Sequence, residues 1–541
     1  MQEEIISKIK QVVGDDIEIR LDRPSDPSHG DFTTNVALSA SKKLDKNPLD
    51  LAAKIRTELG SLSQIEKVEV AGPGFINLFL KKENLIENLK RILSEGDNYG
   101  KSDSNHGKKV VVEYSSPNIA KPFTVGHLRS TIIGDAIANL LVATGWEVVR
   151  DNHLGDWGTQ FGKQIYAIKA WGDEDKISKA ENPVKELVAL YVRFHEEAEK
   201  DESLEDNARE WFKKLEEGDS EAKRIWKFCI ELSKKEFERI YSELGVKFDT
   251  EYGESFYEDK MGTVVSELES KKLLKEDEGA RLVYFENDKF PPLMIIKSDG
   301  TTLYATRDLA TDKFRIDTYG KDAMIINEVG IEQSLYFNQL FELEKMLGWI
   351  KQGQRVHIRH GLYRFADSKM STRKGNTIWL EDVLEEAKKR ASAKEVGIGA
   401  LKWNDLKRNS QQDIVFDWED VLNMQGNSGP YMQYTYARTQ SVLGKKKASE
   451  FNQVILEKEE EEILRMLDQF VGVVSEAAEK FAPNILCLYL FELAQKYNLF
   501  YQKYKIIDSD KEDFRLNLTD AVGQVIKNGL KLLGISAPEK M

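Results

Sequence analysis

Gly126 and His127 stand where a helix is predicted to begin after a strand and an irregular loop. Residues 110–114 form a β-branched run typical of a buried strand, and a Pro-Asn pair soon interrupts it. Apolar residues then recur at helical spacing from Leu128 onward. A helix start carries unpaired N–H groups and partial positive charge, so this stretch suits an anion such as a nucleotide phosphate. Gly126 would let such a ligand approach the backbone closely.

A second stretch that could contact phosphates lies far downstream, where Lys369 and Arg373 precede a predicted helix. Cations on a loop of this kind can neutralise the charge that develops on a nucleotide during its reaction. The sequence therefore offers two sets of groups for one anionic ligand, provided that the fold brings the two loops together.

Tyr304 and Asp308 form a third candidate set, because they lie four positions apart on a predicted helix. A phenol hydroxyl and a carboxylate at this spacing share one face of the helix. Asp308 could instead pair with its neighbour Arg307. Residues i and i+1 of a helix do not face each other, which favours a ligand-binding role for Asp308.

The elements that must position these residues follow an α/β pattern. Strands and helices alternate from about residue 108, which favours a parallel sheet with helices on both faces. Ligands of such sheets bind beyond the carboxyl ends of the strands, at the switch point, and the loop within residues 110–135 fits that location. A polar linker closes a small α+β domain at about residue 106, and the chain from about residue 420 is predicted to be all-helical.

Composition limits the class of protein. A chain of 541 residues is too long for one core, and no run approaches the roughly 20 apolar residues that span a bilayer. The first residues are charged and amphipathic, without the apolar core of a signal peptide. The two cysteines, Cys229 and Cys487, match no zinc spacing, so we expect a reducing cytoplasm. A net charge of −14 argues against a nucleic-acid-coating protein but leaves local RNA binding open.

Longer sequence segments around these residues resemble those of a known family. EYSSPNIAKPFTVGHLRSTIIGD, at residues 113–135, resembles the HIGH signature of class I aminoacyl-tRNA synthetases in its arginyl-tRNA synthetase form. KMSTR, at residues 369–373, resembles the KMSKS signature and occurs in the expected order. HGDFTTN and GPGFINLFL resemble the N-terminal domain of that family. GNSGPYMQYTYARTQSVL and NGLKLLGISAPEKM resemble its anticodon-binding bundle.

The resemblance implies three domains. Residues 1–106 would be a small α+β domain that contacts tRNA, and residues 420–541 an all-α anticodon-binding bundle. Between them, residues 107–419 would be a Rossmann-like α/β nucleotide-binding catalytic domain with a helical insertion at about residues 170–290.

The implied reaction is the ATP-dependent ligation of L-arginine to tRNA(Arg) through an arginyl-adenylate, with release of AMP and pyrophosphate. Mg²⁺ is expected with ATP, and neither a structural metal nor a membrane partner is expected. The family usually acts as a monomer. Because the carboxylate of the amino acid attacks phosphorus directly, the protein supplies positioning and charge neutralisation and needs no nucleophile of its own.

Site residues are implied position by position. Those at the two signatures are Lys121, Thr124, Gly126, His127, Lys369, Met370, Ser371 and Arg373. Those implied to bind arginine are Glu113, Ser116, Asn118, His127, Glu254, Tyr304, Asp308 and Gln333. The role of Glu113 stays open, since it could bind substrate or orient Lys121.

The tRNA contacts implied by the resemblance are Phe75 and Asn77 for the D-loop and Tyr497, Asn498 and Tyr501 for the anticodon. Exposed aromatic rings can stack on unpaired bases, and amides can read their edges. Phe75 could equally be a core residue, and the aromatic stripe at residues 495–505 could be a core stripe.

Two positions depart from the common signatures. Thr124 replaces the first histidine of HIGH and Arg373 the second lysine of KMSKS. A hydroxyl carries no charge, and a guanidinium has planar donor geometry, so neither change is trivially conservative. In the family a lysine upstream of HIGH, matched by Lys121, takes over phosphate contact. These departures leave one rival hypothesis, an RNA-binding paralogue that has lost catalysis. A nucleotidyltransferase that shares the HIGH fold is a second rival.

Overall fold

The computed structural model describes residues 2–24, 27–365, 378–451 and 454–541. Four residues that the resemblance implies for the site lie outside these described residues, namely Lys369, Met370, Ser371 and Arg373. The chain forms two compact units, one of residues up to 99 with 439–470 and 492–525, the other of residues 100–438, 471–491 and 526–541. In the described parts, no helix is long and apolar enough to cross a membrane.

The N-terminal part of the first unit is a three-stranded antiparallel sheet with helices packed against it. Its elements are α1 (Gln2–Val13), β1 (Phe32–Thr34), α2 (Val36–Leu44), α3 (Pro48–Leu59), β2 (Ile65–Ala71), β3 (Phe75–Leu80) and α4 (Lys82–Glu95). The strand order is β1-β3-β2, and the core contains Ile5, Phe32, Ile55 and Leu78. The apolar positions of α1 and α3 recur at helical spacing, so each helix buries one face.

The second unit contains the elements from β4 to α16. They are β4 (Lys109–Glu113), α5 (Val125–Ala143), β5 (Glu147–Asp151), α6 (Gln160–Trp171), α7 (Glu174–Lys179), α8 (Pro183–Ala198), α9 (Ser203–Glu217), α10 (Ser220–Leu244), α11 (Met261–Ser270), β6 (Leu274–Asp277), β7 (Ala280–Val283), β8 (Leu293–Ile296), α12 (Tyr304–Tyr319), β9 (Met324–Gly330), α13 (Ser334–Met346), β10 (Arg355–His360), β11 (Tyr363–Phe365), α14 (Leu380–Arg390), α15 (Lys394–Leu406), β12 (Ile414–Phe416) and α16 (Trp418–Val421). Strands and helices alternate here, as the sequence predicts.

Four parallel strands make the central sheet, in the order β10-β9-β4-β5. The chain leaves β4 for β5 on one side and later enters β9 on the other side of β4. The strand order therefore reverses between β4 and β9, and a crevice opens beyond their carboxyl ends. Glu113 ends β4 and lies in register with Asn327 of β9, so polar side chains meet at this point.

An insertion separates the two halves of the sheet. It consists of the helices α6 to α11 and a small antiparallel sheet in the order β6-β7-β8. Its long helix α10 contacts the loop that precedes α5 at two places. The Ala120 N–H donates to Ser233 Oγ at 3.0 Å, and Tyr241 Oη lies 2.7 Å from Ser115 Oγ. The insertion thus helps to fix the loop that the sequence assigns to phosphate binding.

Four helices complete the chain, α17 (Gly429–Leu443), α18 (Lys458–Glu479), α19 (Pro483–Lys503) and α20 (Glu512–Leu532). The unit boundaries fall within each of them. Within the first unit, Arg465 of α18 pairs with Asp31, and Tyr99 Oη donates to the Leu467 carbonyl at 3.2 Å. The first unit is therefore larger than the N-terminal domain that the sequence predicts.

Helix α5 packs directly on β4 through Gly134. A Cβ at this position would overlap the Tyr114 side chain, which is fully buried at the end of β4. Gly262 of α11 offers a contrast, since a Cβ there would have no heavy atom within 4 Å. Gly134 is thus required by packing, whereas Gly262 is not.

We expect Gly134→Ala to lower the melting temperature, because overpacking a core costs about 1–3 kcal/mol or more. Gly262→Ala should leave it unchanged or raise it, since alanine is favoured over glycine inside a helix by up to about 1 kcal/mol. Calorimetry of the two variants beside the parent chain measures both effects. Equal melting temperatures for Gly134→Ala and the parent chain would contradict the close packing of α5 on β4.

Candidate active site

A cavity of about 510 Å³ opens at the carboxyl ends of β4 and β9. Seven of the eight residues implied to bind arginine line it. They are Glu113, Ser116, Asn118, Glu254, Tyr304, Asp308 and Gln333. They come from the end of β4 and the loop after it, the insertion, α12 and the turn before α13, so the fold brings together residues that are far apart in the chain. The eighth, His127, is not among the lining residues.

Asp308 lies deep in this cavity on α12. Tyr336 Oη donates a hydrogen bond to its Oδ2 atom. Burial raises the pKa of Asp308 to about 6, although the hydrogen bond from Tyr336 opposes that rise. No cationic side chain of the described residues forms an ion pair with Asp308. Its carboxylate is therefore suited to a cationic ligand.

Glu254 is the second carboxylate of the cavity. Its Oε2 atom lies 3.5 Å from Arg307 Nη1, and Arg307 bonds more closely to Glu258, at 2.6 Å. Burial raises the pKa of Glu254 to about 7, and the nearby Arg307 limits the rise. The neighbour that competed with a ligand role for Asp308 in the sequence, Arg307, therefore contacts glutamates instead.

Glu113 is engaged within the protein. Arg315 Nη2 lies 2.6 Å from its Oε2 atom, and Asn327 Nδ2 donates to the same atom at 2.9 Å. Beside substrate binding and the orientation of Lys121, Glu113 therefore has a third possible role, which is to orient Arg315 at the back of the cavity. Its edge still lines the cavity.

Ser116 and Asn118 lie on the loop after β4. Ser116 has a φ of 45°, and its backbone N–H donates to Asn152 Oδ1 at 3.1 Å. Its buried hydroxyl has no hydrogen-bond partner among the described residues, which leaves it for a ligand. Asn118 packs against Gly155, where a Cβ would overlap its amide. Gln333 is exposed at the start of α13, on the opposite wall.

Thr124 and His127 cap the start of α5. The Thr124 backbone N–H donates to His127 Nδ1 at 3.1 Å. Because a backbone amide can only donate, Nδ1 is the acceptor and the neutral ring carries its proton on Nε2. Burial, aided by nearby His360, lowers the pKa of His127 to about 4. His127 is therefore a neutral N–H donor at physiological pH, next to the exposed Gly126.

Lys121 is half-buried in the same loop, two residues before Phe123. The Phe123 carbonyl accepts from the Leu380 N–H at 2.8 Å, and Thr124 forms a bridge with Trp379. The segment that resumes at residue 378 thus begins beside the helix start. The four signature residues from Lys369 to Arg373 precede that segment and lie outside the described residues.

Several lining residues were missed by sequence reasoning. They are His153, Asp312, Arg315, Asn327, Glu332 and Tyr336. Asn327 had a usable signal, since it is a polar residue near the end of an apolar predicted strand. Tyr336 lies three residues after Gln333 and could have been found as its helical neighbour. Arg315 had no signal, because an arginine on a polar helix is usually exposed.

Burial separates the five residues implied to contact tRNA. Phe75 and Tyr501 expose 41% and 38% of their surface. Asn77 is buried, and its Oδ1 atom accepts from Thr33 Oγ1 at 2.8 Å. Tyr497 is fully buried and Asn498 nearly so. Burial leaves the side chains of Asn77, Tyr497 and Asn498 little or no surface to offer a base, whereas Phe75 and Tyr501 are exposed, and all five assignments stay predictions.

Within the described residues, no group of three or more histidine, cysteine or acidic side chains could hold a metal ion. The polar groups that line the cavity are carboxylates, two phenols and amides. Carboxylates only accept when ionised, whereas phenols and amides both donate and accept, so this set matches a ligand that is cationic at one end and anionic or polar at the other.

Three family descriptions match the chain in succession. Residues 1–80 match Arginyl tRNA synthetase N terminal domain, residues 88–418 match tRNA synthetases class I (R), catalytic domain, and residues 432–541 match DALR anticodon binding domain. Together they cover almost the whole chain, and the second alone covers more than half of it.

Known proteins resemble the chain over its full length. It is 43% identical to a protein named Arginine--tRNA ligase from Clostridium beijerinckii, with 99% of each chain covered. The solved structure of arginyl-tRNA synthetase from Plasmodium falciparum is 25% identical, with a TM-score of 0.83 and coverage of 99% and 98%. That of Thermus thermophilus is 23% identical, with a TM-score of 0.85 and coverage of 100% and 99%, and shows the same fold.

The raised pKa values of Glu254, about 7, and Asp308, about 6, predict a pH dependence for binding of a guanidinium ligand. A cation favours the ionised carboxylates, so affinity should weaken as pH falls through these values, and binding near pH 6.5 should release protons. Calorimetric titration in two buffers of different ionisation enthalpy measures that release. It should disappear at about pH 8.5, where both carboxyl groups are already ionised.

Glu254→Gln is the variant that checks this assignment, because it removes one titrating group and keeps its size. Proton release near pH 6.5 should fall in the variant. Undiminished release would show that other groups titrate on binding.

Proposed function

The chain belongs to the arginyl-tRNA synthetase family, and from this premise we propose how its residues charge tRNA with arginine. Its reaction is the ATP-dependent ligation of L-arginine to tRNA through an arginyl-adenylate, with release of AMP and pyrophosphate. The observation that carries the residue assignment is the cavity at the switch point of the sheet, which contains two carboxylates with raised pKa values, Asp308 and Glu254.

Asp308 and Glu254 bind the guanidinium group in this proposal. A guanidinium has five N–H donors, no acceptor and a permanent charge, so it pairs more strongly with carboxylates than with neutral acceptors. Tyr304 closes the cavity with a ring that is 57% exposed. Asn118, Gln333 and the Ser116 hydroxyl bind the α-amino and carboxylate end.

In the first step, an oxygen of the arginine carboxylate attacks the α-phosphorus of ATP in line, and pyrophosphate leaves. The carboxylate is already ionised, so no base is required. His127 Nε2–H and the first N–H groups of α5 donate to phosphate oxygens, and Lys121 adds a positive charge. Lys369 and Arg373 are proposed to act on the same phosphates, with Met370 and Ser371 completing their signature.

Mg²⁺ is proposed to arrive with ATP and to offset charge on its phosphates. In the second step, a hydroxyl of the terminal ribose of tRNA attacks the carbonyl carbon of the adenylate, and AMP leaves. Phe75 and Tyr501 are the exposed rings that we propose to contact tRNA bases.

We also propose a monomer in a reducing cytoplasm. Both cysteines, Cys229 and Cys487, are buried free thiols, and burial raises the pKa of each. Such thiols are unreactive and need no disulfide, which suits that compartment. Size-exclusion chromatography with light scattering measures the oligomeric state.

Aminoacylation of total tRNA with each amino acid in turn tests the function. Arginine alone should be incorporated. Failure with every amino acid would favour an RNA-binding paralogue, for which Thr124 and the unusual KMSTR word would be traces of lost catalysis. The intact capping contact between Thr124 and His127 supports the enzyme.

Asp308→Asn should lower kcat/KM for arginine about ten- to a hundredfold. The amide keeps the size of the carboxylate but presents donors to a guanidinium that only donates, and a hydrogen bond to a charged group contributes about 1.5–3 kcal/mol. KM for ATP should change little. Tyr304→Phe should show the same selectivity with a smaller loss, because it removes one hydroxyl.

Asp317→Asn is the matched control on the same helix. Asp317 is exposed and pairs only with Lys313 in the described part of the chain, so its variant should retain full activity. If Asp308→Asn behaves like this control, Asp308 does not contact arginine and the guanidinium pocket centres on Glu254.

A further inference from the structure

Tyr336 lines the cavity on α13 and belongs to neither signature. Its hydroxyl donates to Asp308 Oδ2, and this is the one side-chain hydrogen bond that Asp308 accepts from the described residues. The other carboxylate oxygen, Oδ1, is thereby left for a donor in the cavity. Tyr336 reaches Asp308 across 28 positions of the chain, so the contact joins α12 to α13.

The ring of Tyr336 also supports the other phenol of the cavity. It meets the ring of Tyr304 edge-on, with centroids 4.9 Å apart and an interplanar angle of 66°. Tyr304 is largely exposed, so its ring depends on Tyr336 for a packing partner on this side. One residue therefore contacts both groups of α12 that we assign to the guanidinium.

We propose that Tyr336 is a positioning residue that sets the selectivity of this cavity for a charged guanidinium over a neutral analogue. It fixes which oxygen of Asp308 faces the ligand and keeps that carboxylate ionised. The inference rests on the proposed function, because it takes Asp308 as the group that binds the side chain of arginine.

The charge state of Asp308 depends on a balance among its neighbours. Burial raises its pKa and is the largest influence. The Tyr336 hydroxyl and the imidazole of His153 lower the pKa, whereas Glu113 and Asp312 raise it. Glu254 lines the same cavity beside Arg307, and the charge of Asp308 raises the pKa of Glu254.

Removing the hydroxyl of Tyr336 takes away the hydrogen bond that stabilises the ionised form. The pKa of Asp308 then rises from about 6, and the group becomes a neutral acid over more of the pH range. A neutral acid has an O–H donor directed at a ligand that has no acceptor. The same O–H is suited to the carbonyl oxygen of citrulline, the uncharged analogue of arginine.

Tyr336→Phe keeps the ring and tests the hydroxyl. The measurement is kcat/KM for arginine in tRNA charging between about pH 6 and pH 8.5, expressed as the ratio of variant to parent chain at each pH. Other titrating groups cancel in this ratio. We expect a modest loss at the alkaline end and a further loss of about fivefold near pH 6, since a rise of one unit from a pKa of about 6 lowers the ionised fraction at that pH from about one half to about one tenth.

Selectivity gives a second readout in the same variant. The inhibition constant of L-citrulline divided by KM for arginine should fall in Tyr336→Phe, and most strongly near pH 6. A residue that only packs would change both constants together and leave their ratio as it is in the parent chain.

Tyr284→Phe is the matched control, because Tyr284 also donates to an aspartate, Asp277, at 2.8 Å, but on the exposed small sheet. Its ratio to the parent chain should be flat in pH and close to one. Tyr304→Phe should lose activity by the same factor at every pH, since Tyr304 is assigned to the ligand and not to the ionisation of Asp308.

A flat pH ratio and an unchanged citrulline-to-arginine ratio for Tyr336→Phe would overturn the inference. In that case the parent chain would still charge tRNA with arginine, and the proposed function would stand. Failure of the parent chain to use arginine would overturn both. A melting temperature close to that of the parent chain shows that the phenylalanine variant is folded, and Tyr336→His, which restores an N–H donor, should recover part of the lost selectivity.

Discussion

A buried network of charges holds the central sheet to the helices that form the cavity. Arg315 is only 2% exposed and contacts Glu113, Asp151 and Asp312, and Arg355 joins the network through Asp312. Burial opposes ionisation of Asp312, but the two arginines outweigh it and lower its pKa. Removing one member of such a network costs about 3–5 kcal/mol, because a buried charge loses its partner. The relative placement of β4, β5, β10 and α12 depends on it.

The network also fixes which face of α12 turns to the ligand. Asp308, Asp312 and Arg315 follow one another at intervals of four and three positions, so they lie along one side of the helix. With Arg315 and Asp312 anchored behind the cavity, Asp308 is directed into it. The anchored carboxylates are neutralised by arginines of the protein, whereas Asp308 and Glu254 at the front have raised pKa values. In the proposed function, the cationic side chain of the substrate completes the charge balance.

The elements that carry the site could be predicted from local sequence patterns. The contacts between residues distant in the chain could be seen only in the structure. The strand before Tyr114, the helix start at His127 and the shared face of Tyr304 and Asp308 each depend on residues a few positions apart, which is why they could be predicted. Arg315 acts across the fold and leaves no local signal, and the spacing of Tyr336 from Gln333 does not reveal its bond to Asp308 on another helix. Aromatic residues at helical spacing are as typical of a core as of an exposed surface. The spacing alone therefore does not reveal that Tyr497 is fully buried.

The contacts of α10 with the loop before α5 restrict which insertions this fold can accept. Tyr241 of the insertion bonds the Ser115 hydroxyl, and Ser233 accepts from the Ala120 backbone N–H, so the identity of each insertion residue decides whether its hydrogen bond forms. An insertion transplanted from a divergent relative therefore has to carry a hydroxyl at position 241 and a hydrogen-bond acceptor at position 233, or the loop loses both contacts. For the design of chimeras the insertion and the loop are thus one unit, although the chain places them more than a hundred positions apart.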